Sequence, residues 1–258
     1  MCPELFHIGD FTLYSFGLMA ALALIVPGLF VVLPLLRRRG VTPDFAFELI
    51  FAAGIGGFVG ARLYYLAEHW SSVSDDLRDA LFSGYGFTWY GGLIGGFVAV
   101  VVWCLLRRVP VGIVANTMGP GVALGYTIGR IGCQLSGDGD YGTESDLPWA
   151  MGYPNGTVPT PPGVEVHPTP VYELIMMAPI IWLLWRLAGK DRSGWWTFGW
   201  MLVLTGVERF IIEFWRRNEE VALGLTQPQW VAIASVLIGT ALVLSFRSRA
   251  AEQVRGRP

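Results

Sequence analysis

Charged residues are scarce in this chain, and their scarcity limits the classes of protein to which it can belong. Of 258 residues, 15% are charged and 53% are hydrophobic, whereas soluble domains usually carry about 25% charged residues. The formal net charge of −2 provides no basic surface, so no nucleic-acid partner is expected. The mean hydropathy of +0.50 instead indicates an integral membrane protein.

Cysteine is nearly absent, and the N-terminus lacks the pattern of a cleaved signal peptide. The three cysteines, Cys2, Cys104 and Cys133, form neither an even disulfide framework nor a CxxC metal motif. The acidic run at Asp138 and Asp140 lacks the other ligands of an EF-hand loop, so neither a metal ion nor a cofactor is expected. No basic segment precedes the first apolar block, which is predicted to be a retained helix.

Apolar segments long enough to cross a bilayer recur along the chain. A crossing helix needs about 20 mostly apolar residues, and seven segments reach this length: about 14–36, 45–66, 88–106, 111–134, 170–188, 195–214 and 229–246. The fold class predicted from this pattern is all-α and polytopic, with about seven transmembrane helices. Residues 1–258 are predicted to form a single transmembrane domain.

The distribution of basic residues predicts the orientation of these helices. Arginine and lysine cluster after the first, third, fifth and seventh segments, at 37–39, 107–108, 186–192 and 247–257. By the positive-inside rule these clusters are cytoplasmic, which places the N-terminus outside and the C-terminus in the cytoplasm. Residues 135–169, rich in glycine and proline, then form an extracytoplasmic loop. We expect this loop to be a structured cap over an external site, with a disordered loop as the alternative.

Ionisable residues inside the predicted helices are the most informative part of the sequence. Each costs roughly 2.5–3.5 kcal/mol on insertion scales, so such residues mark ion pairs or functional sites. The predicted topology brings one set to a common depth toward the outer face: Arg62, Tyr90, Arg130, His167, Tyr172, Glu173, Arg209 and Glu213. Guanidinium groups suit phosphate oxygens, so an anionic phospholipid headgroup is the predicted ligand. Structural ion pairs of Arg62 with Glu68 and of Arg209 with Glu213 are the alternative.

The stretch Gly129–Gly142, GRIGCQLSGDGDYG, resembles the signature of the bacterial prolipoprotein diacylglyceryl transferases, whose common form is roughly GRIGNFxNxExxG. Other family motifs follow in order along nearly the whole chain: FGLM at 16–19, GAR at 60–62, GGLIGG at 91–96, HPTPVYE at 167–173 and RFIIEFWR at 209–216. The resemblance implies a multi-pass enzyme of the bacterial cytoplasmic (inner) membrane.

The same resemblance implies a reaction and its partners. Members of this family transfer the diacylglyceryl group of phosphatidylglycerol to the lipobox cysteine thiol in the signal peptide of a prolipoprotein, giving a thioether and glycerol phosphate. The alternatives are a non-catalytic phospholipid binder or transporter and a paralogous transferase with another acceptor. Transporters often contain inverted repeats and broken helices that meet near the midplane, and no repeat is visible in this sequence.

Site roles follow from combining the charges with the resemblance. Arg130 and Arg209 are expected to stabilise the departing phosphate, while Tyr90 and His167 complete the predicted catalytic set. The predicted substrate-binding residues are Arg62, Gly91, Gly92, Asp138, Asp140, Gly142, Glu173, Glu213 and Arg216. Close helix packing is the alternative role for the helical glycines.

The chain departs from the common family pattern where the chemistry is expected. Tyr90 replaces a histidine, Cys133 replaces the signature asparagine, and Phe16 replaces a tyrosine. The GDGDYG run is one residue longer than usual, so Asp138 and Asp140 compete for one acidic position. The base that deprotonates the thiol is therefore not assigned from the sequence.

Overall fold

Helices cover each of the seven apolar segments. The computed structural model describes residues 1–9, 11–70, 88–190 and 194–255. Helix α1 (Ser15–Pro27) continues through a π-helical turn at Gly28–Val32 into α2 (Leu33–Arg37). The other helices are α3 (Pro43–Glu68), α4 (Trp89–Leu106), α5 (Val111–Ser136), α6 (Thr169–Lys190), α7 (Trp195–Ile212) and α8 (Gln227–Arg255), with a 3-10 turn at Glu213–Trp215 after α7.

The structure confirms the prediction of a helical membrane protein. Among the residues that the structure describes, four helical segments are long and apolar enough to cross a bilayer: Ser15–Arg37, Pro43–Glu68, Thr169–Lys190 and Gln227–Phe246. A shorter apolar helix occupies Tyr90–Leu106. The seven crossings and their orientation remain predictions, and residues 71–87, between the second and third predicted crossings, lie outside the described residues.

Two short antiparallel hairpins qualify the all-α prediction. Strand β1 (Glu4–Ile8) pairs with β2 (Phe11–Tyr14) directly before α1, and β3 (Glu220–Ala222) pairs with β4 (Leu225–Thr226) directly before α8. The second hairpin turns through Leu223 and Gly224, which have φ values of 53° and 70°. Strands this short carry too little alternation to be predicted beside long apolar helices.

Local sequence sets the ends of several helices. Thr42 precedes α3, and its hydroxyl accepts a hydrogen bond from the backbone N–H of Phe45 at 3.5 Å, with Pro43 in the first turn. Helix α5 stops at Ser136 because Gly137 adopts a φ of +60°, a left-handed conformation that terminates helices. The end of α5 thereby delivers the chain into the loop that carries Asp138 and Asp140.

The chain divides into two compact units, each described by itself. Residues 36–114 form one unit, in which α3 packs closely on α4. A Cβ atom on Gly60 would lie 2.4 Å from the carbonyl oxygen of Gly91, and one on Gly95 would lie 2.3 Å from that of Gly56. These backbones touch because no side chain intervenes, as is common between membrane helices.

Residues 1–35 and 115–258 form the other unit. Its buried cluster of Ala123, Met177, Leu184 and Met201 joins α5, α6 and α7. Helix α8 packs against α7 through a glycine contact, where a Cβ atom on Gly199 would lie 2.8 Å from the Gly239 carbonyl oxygen. This unit contains every residue of the arginine network described next.

The α7–α8 contact predicts the effect of one methyl group. Gly199→Ala should lower the free energy of unfolding by about 1–3 kcal/mol, because the new Cβ collides with backbone that has no room to move. Thermal unfolding in detergent tests this expectation. Gly189→Ala is the matched control, since a Cβ atom added there would meet no neighbour within 4 Å. Equal melting temperatures for the two variants would contradict the packing role.

Candidate active site

A fully buried carboxylate, Glu173 on α6, lies among three arginines. The Glu173 side chain has 0% exposure, and its Oε2 lies 2.8 Å from Arg130 Nε of α5. Its Oε1 lies 3.2 Å from Arg209 Nη1 of α7 and 3.9 Å from Arg216 Nη1, just beyond the 3-10 turn. A buried ionised carboxylate is stable only when it is paired, so Glu173 holds these three elements together.

Asp140 forms the second acidic point of this network. Its carboxylate accepts hydrogen bonds from Arg130 Nη1 and Arg216 Nη2, while its backbone carbonyl accepts one from Arg216 Nη1 at 3.0 Å. Burial acts to raise the pKa of Asp140, but the charges of Arg130 and Arg216 lower that pKa to about 2. The carboxylate is therefore ionised at neutral pH.

The structure distinguishes Asp138 from Asp140, the two candidates for one acidic position in the sequence. Asp138 Oδ1 accepts a hydrogen bond from the backbone N–H of Asp140 at 3.2 Å, which shapes the turn. Gly137 and Gly139 adopt φ values of +60° and +93° and direct the chain so that Asp140 reaches the arginines. Asp140 is thus the aspartate that contacts Arg130 and Arg216, and Asp138 supports the turn that presents it.

Glu213 pairs with the Arg209 nitrogen that Glu173 does not contact. Arg209 Nη2 lies 2.8 Å from Glu213 Oε2, so the predicted i,i+4 ion pair is present. Glu213 Oε1 also accepts hydrogen bonds from Asn218 Nδ2 at 2.6 Å and from Thr226 Oγ1 at 2.7 Å. These contacts link the end of α7 to the β3–β4 hairpin and fix the orientation of the Arg209 guanidinium.

Cys133 and Tyr126 pack directly against Arg130. Cys133 Sγ lies 3.7 Å from Arg130 Nη1 and donates a hydrogen bond to Asp140 Oδ2 at 3.4 Å. The Arg130 guanidinium stacks over the Tyr126 ring, 4.9 Å from its centroid, as expected for residues four apart on one helix face. The Cys133 thiol, which replaces the signature asparagine, thus contacts both members of the Arg130–Asp140 ion pair.

His167 lies at the edge of the network in a row of aromatic side chains. Its Nδ1 hydrogen-bonds the Tyr172 hydroxyl at 3.1 Å, and that hydroxyl accepts a hydrogen bond from Trp149 Nε1 at 2.8 Å. A Cβ atom on Gly142 would lie 2.9 Å from the His167 Cβ and 2.3 Å from the Trp215 carbonyl oxygen. Gly142 therefore permits close packing between the loop and the segment after α7.

The loop between α5 and α6 is folded around a small buried cluster. Tyr141 and Tyr153 are buried and stack with ring centroids 4.7 Å apart, with Val166 completing the cluster. Burial raises the pKa of Tyr153 to about 12, so its hydroxyl stays protonated and donates to Gln134 Oε1 at 2.9 Å. This cluster anchors the loop to the end of α5.

Four predicted site residues belong to the unit formed by residues 36–114. Arg62 on α3 is 5% exposed, and its guanidinium lies 5.6 Å from the centroid of the Tyr65 ring. Tyr90 and Gly92 lie in the first turn of α4 with Gly91. A Cβ on Gly91 would lie 2.4 Å from both the Gly60 carbonyl oxygen and the Tyr64 Cβ, so Gly91 serves helix packing.

One group of side chains in the described part of the chain has the spacing of metal ligands. Ligand atoms of Cys133, Asp138 and Asp140 lie within 4.8 Å of one another. However, Asp140 is already engaged by Arg130 and Arg216, and two guanidinium charges oppose a cation at this point. The Asp140 carboxylate that a metal ion would need is thus already paired with cations.

A polar cavity opens beside the network. Its volume is about 300 Å³, and it is lined by Gly139, Tyr141, Arg216, Arg217 and Asn218. Arg217 covers the Tyr141 ring at 4.2 Å and donates to the Gly139 carbonyl oxygen at 3.1 Å. Polar groups of a bound molecule could reach Arg216 through this cavity.

Comparison with known proteins assigns the chain to a family. The sequence profile of the family described as prolipoprotein diacylglyceryl transferase matches residues 3–245. The chain belongs to the prolipoprotein diacylglyceryl transferase family. It is 30% identical to the phosphatidylglycerol–prolipoprotein diacylglyceryl transferase of Clostridium tetani, with 93% of this chain and 95% of the relative covered. The enzyme of the same name in Geobacter sulfurreducens is 31% identical, with 86% of this chain and 85% of the relative covered.

The sequence predicted the charged residues of the arginine network, but it did not predict several neutral residues that hydrogen-bond to them. Thr169 donates to the Asp140 carbonyl oxygen at 2.6 Å, and Asn218 and Thr226 bind Glu213. A threonine at the start of a helix and neutral residues in a loop or hairpin give no sequence signal of this kind. Glu208 was also missed, although a glutamate within an apolar segment is a signal for function.

Asp140→Asn should loosen the loop at 137–142, because it weakens the contacts that Arg130 and Arg216 make with one carboxylate. Hydrogen exchange should show lower protection there, whereas Asp138→Asn, the matched control, should show a smaller effect.

In the wild type, a carboxyl with a lowered pKa stabilises the fold above its unfolded pKa of about 3.9. That contribution is lost only as the pH falls through about 2, so protection factors should hold at about pH 4. Loss of protection at that pH would contradict this account.

Glu173→Gln should destabilise the protein by about 3–5 kcal/mol, the range for breaking a buried ion pair from one side. Thermal unfolding in detergent measures this effect. The matched control is Glu48→Gln, since Glu48 pairs with the exposed Arg107, and exposed pairs contribute about 0–1 kcal/mol. Similar losses in the two variants would show that burial of Glu173 is not what makes the pairing strong.

Proposed function

We propose that this protein transfers the diacylglyceryl group of phosphatidylglycerol to the cysteine thiol of prolipoproteins. The observation that carries the proposal is the convergence of Arg130, Arg209 and Arg216 on one buried carboxylate, in a chain that belongs to this transferase family. The family provides the reaction, and the arginine network provides the chemical means of performing it.

The arginines match the charge that develops during this reaction. The thiolate sulfur bonds to the glyceryl carbon of the lipid while the bond from that carbon to the phosphate oxygen breaks. The electron pair of the broken bond leaves with glycerol phosphate, so negative charge grows on the phosphate. Fixed cations at that position lower the energy of the transition state, and we assign this role to Arg130 and Arg209.

The ion pairs hold the guanidinium groups without using all their donors. An arginine has five N–H donors on three nitrogens, and the ion pairs engage two nitrogens each of Arg130, Arg209 and Arg216. Glu173, Glu213 and Asp140 thus orient the arginines before the lipid binds. Orientation in advance means that little reorganisation is needed as the phosphate departs.

His167 is our proposed base for the thiol. The thiol has an ordinary pKa of about 8.5 and must lose its proton before it attacks. When His167 Nδ1–H donates to the Tyr172 hydroxyl, Nε2 retains the lone pair that accepts a proton. The distance of 3.1 Å between His167 Nδ1 and the Tyr172 hydroxyl is compatible with the tautomer that carries its proton on Nδ1. Tyr90 is proposed to position the substrate, with Arg62 as a further contact to the lipid.

The membrane setting is proposed to follow the sequence-based topology. Arg37 ends α2, Arg107 and Arg108 follow α4, and Lys190 ends α6, which supports a common cytoplasmic side for these ends. Arg130, Glu173 and Arg209 then face the outer leaflet of the bacterial cytoplasmic membrane. A prolipoprotein would present the lipobox cysteine of its signal peptide to that leaflet.

Arg130→Ala and Arg209→Ala should each reduce transfer at least a hundredfold, because each removes a fixed cation from the departing phosphate. Purified protein, phosphatidylglycerol and a lipobox peptide are incubated, and the thioether-lipidated peptide is quantified by mass spectrometry. Arg186→Ala is the control: Arg186 lies on α6 over the Trp182 ring at 4.7 Å, outside the network. No product from the wild type, alongside an active control enzyme, would refute the transferase and favour a lipid binder or transporter.

A further inference from the structure

Two buried polar atoms next to the arginine network have neither a hydrogen-bond partner nor an ion-pair partner among the described residues. They are Glu208 Oε1 on α7 and the Tyr126 hydroxyl on α5. Glu208 is 2% exposed, so water does not readily satisfy it. Buried polar atoms are almost always hydrogen-bonded, and two exceptions beside one charged network indicate a ligand that belongs there.

Both atoms lie within the electrostatic reach of the same charged groups. Glu173, Arg209, Arg130 and Arg216 act on Glu208. Arg130, Glu173, Glu208 and Arg209 act on Tyr126, whose ring also stacks under Arg130. The orphan atoms therefore border the network that we assign to the phosphate.

Charge balance within the network determines the ionisation of Glu208. The three arginines are matched by three ion-paired acids, Asp140, Glu173 and Glu213. Glu208 joins none of the ion pairs formed by the residues that the structure describes. An unpaired buried carboxylate is strongly disfavoured, and its charge would make the network net negative and repel an anionic lipid. Both effects favour the protonated acid.

The position of these two atoms along the helices matches the build of a phospholipid. Tyr126 precedes Arg130 by one helical turn, about 6 Å along α5, and Glu208 precedes Arg209 on α7. In the proposed topology both helices run outward, so Tyr126 lies about one turn deeper in the bilayer than Arg130, and Glu208 lies one residue deeper than Arg209. In a phospholipid the ester groups likewise lie deeper than the phosphate.

We propose that Glu208 is a neutral carboxylic acid that, together with Tyr126, hydrogen-bonds the ester oxygens of the bound phospholipid while the arginines bind its phosphate. This site deepens the proposed function and rests on it. A carboxylic acid and a phenol both donate a hydrogen bond to a neutral ester carbonyl. The two residues would thereby select diacyl lipids and set the depth at which the reacting glyceryl carbon lies.

The test compares phosphatidylglycerol with its diether analogue, which lacks ester carbonyls. Affinity of the full-length protein for each lipid is measured in detergent for the wild type, Glu208→Gln, Glu208→Leu and Tyr126→Phe. The wild type should bind the diester about threefold to tenfold more tightly, as expected for one or two hydrogen bonds. Glu208→Leu and Tyr126→Phe should lose most of this preference, and Glu208→Gln, which keeps a donor, should retain more of it.

A second measurement tests the protonation of Glu208 and does not depend on the leucine variant folding. Infrared spectroscopy of the wild type should show a protonated carboxyl band that Glu208→Gln removes. Binding of the diester should weaken at alkaline pH in the wild type as Glu208 ionises, and this weakening should be smaller in Glu208→Gln. Absence of the band, or an alkaline loss of equal size in both proteins, would overturn the neutral acid.

The thioether assay separates the failure of this inference from failure of the proposed function. Product formation by a wild type that binds both lipids equally would refute the ester contact and leave the transferase intact. A clear preference for the diester without any product would refute the transferase, while the ester contact would stand.

Discussion

The site depends on one buried charge, the carboxylate of Glu173. With no solvent exposure, this carboxylate is compatible with the fold only if cations surround it. Arg130, Arg209 and Arg216 meet that requirement from three different elements. The ends of α5 and α7 and the segment beyond α7 therefore have to meet at the start of α6, and the rest of the network is built around this meeting point.

The acids that surround the arginines serve the proposed chemistry as well as the fold. Arginine side chains lose considerable conformational entropy when they are fixed, and here that loss accompanies folding instead of substrate binding. Asp140 and Glu213 complete the orientation that Glu173 begins. With Glu208 neutral, as proposed, the three acids and three arginines balance, so a departing phosphate meets aligned donors without a surplus of negative charge.

The sequence predicted the helices well because apolar length and flanking arginines are properties of consecutive residues. Depth along each helix also follows from consecutive residues, which is why Arg130, Glu173, Arg209 and Glu213 were predicted together. The supports of the network were not predictable in this way. Thr169, at the start of α6, contacts the loop residue Asp140, and Asn218 and Thr226 contact Glu213 from the segment after α7 and the β3–β4 hairpin. The paths of that loop, segment and hairpin depend on turns and not on hydropathy.

The amino-acid sequence was sufficient to establish that this protein is helical and belongs in a membrane, and to predict arginines and acids at matching depths, because each property resides in a local run of residues. Which acid meets which arginine depends on the folded chain. Asp140, and not Asp138, pairs with Arg130 and Arg216, because Gly137 and Gly139 turn the chain through left-handed conformations. Gly91 and Gly142 leave room for neighbouring backbone, and Glu208 has an orphan oxygen beside paired charges. Such distinctions depend on distances between residues far apart in the chain, which local sequence does not fix.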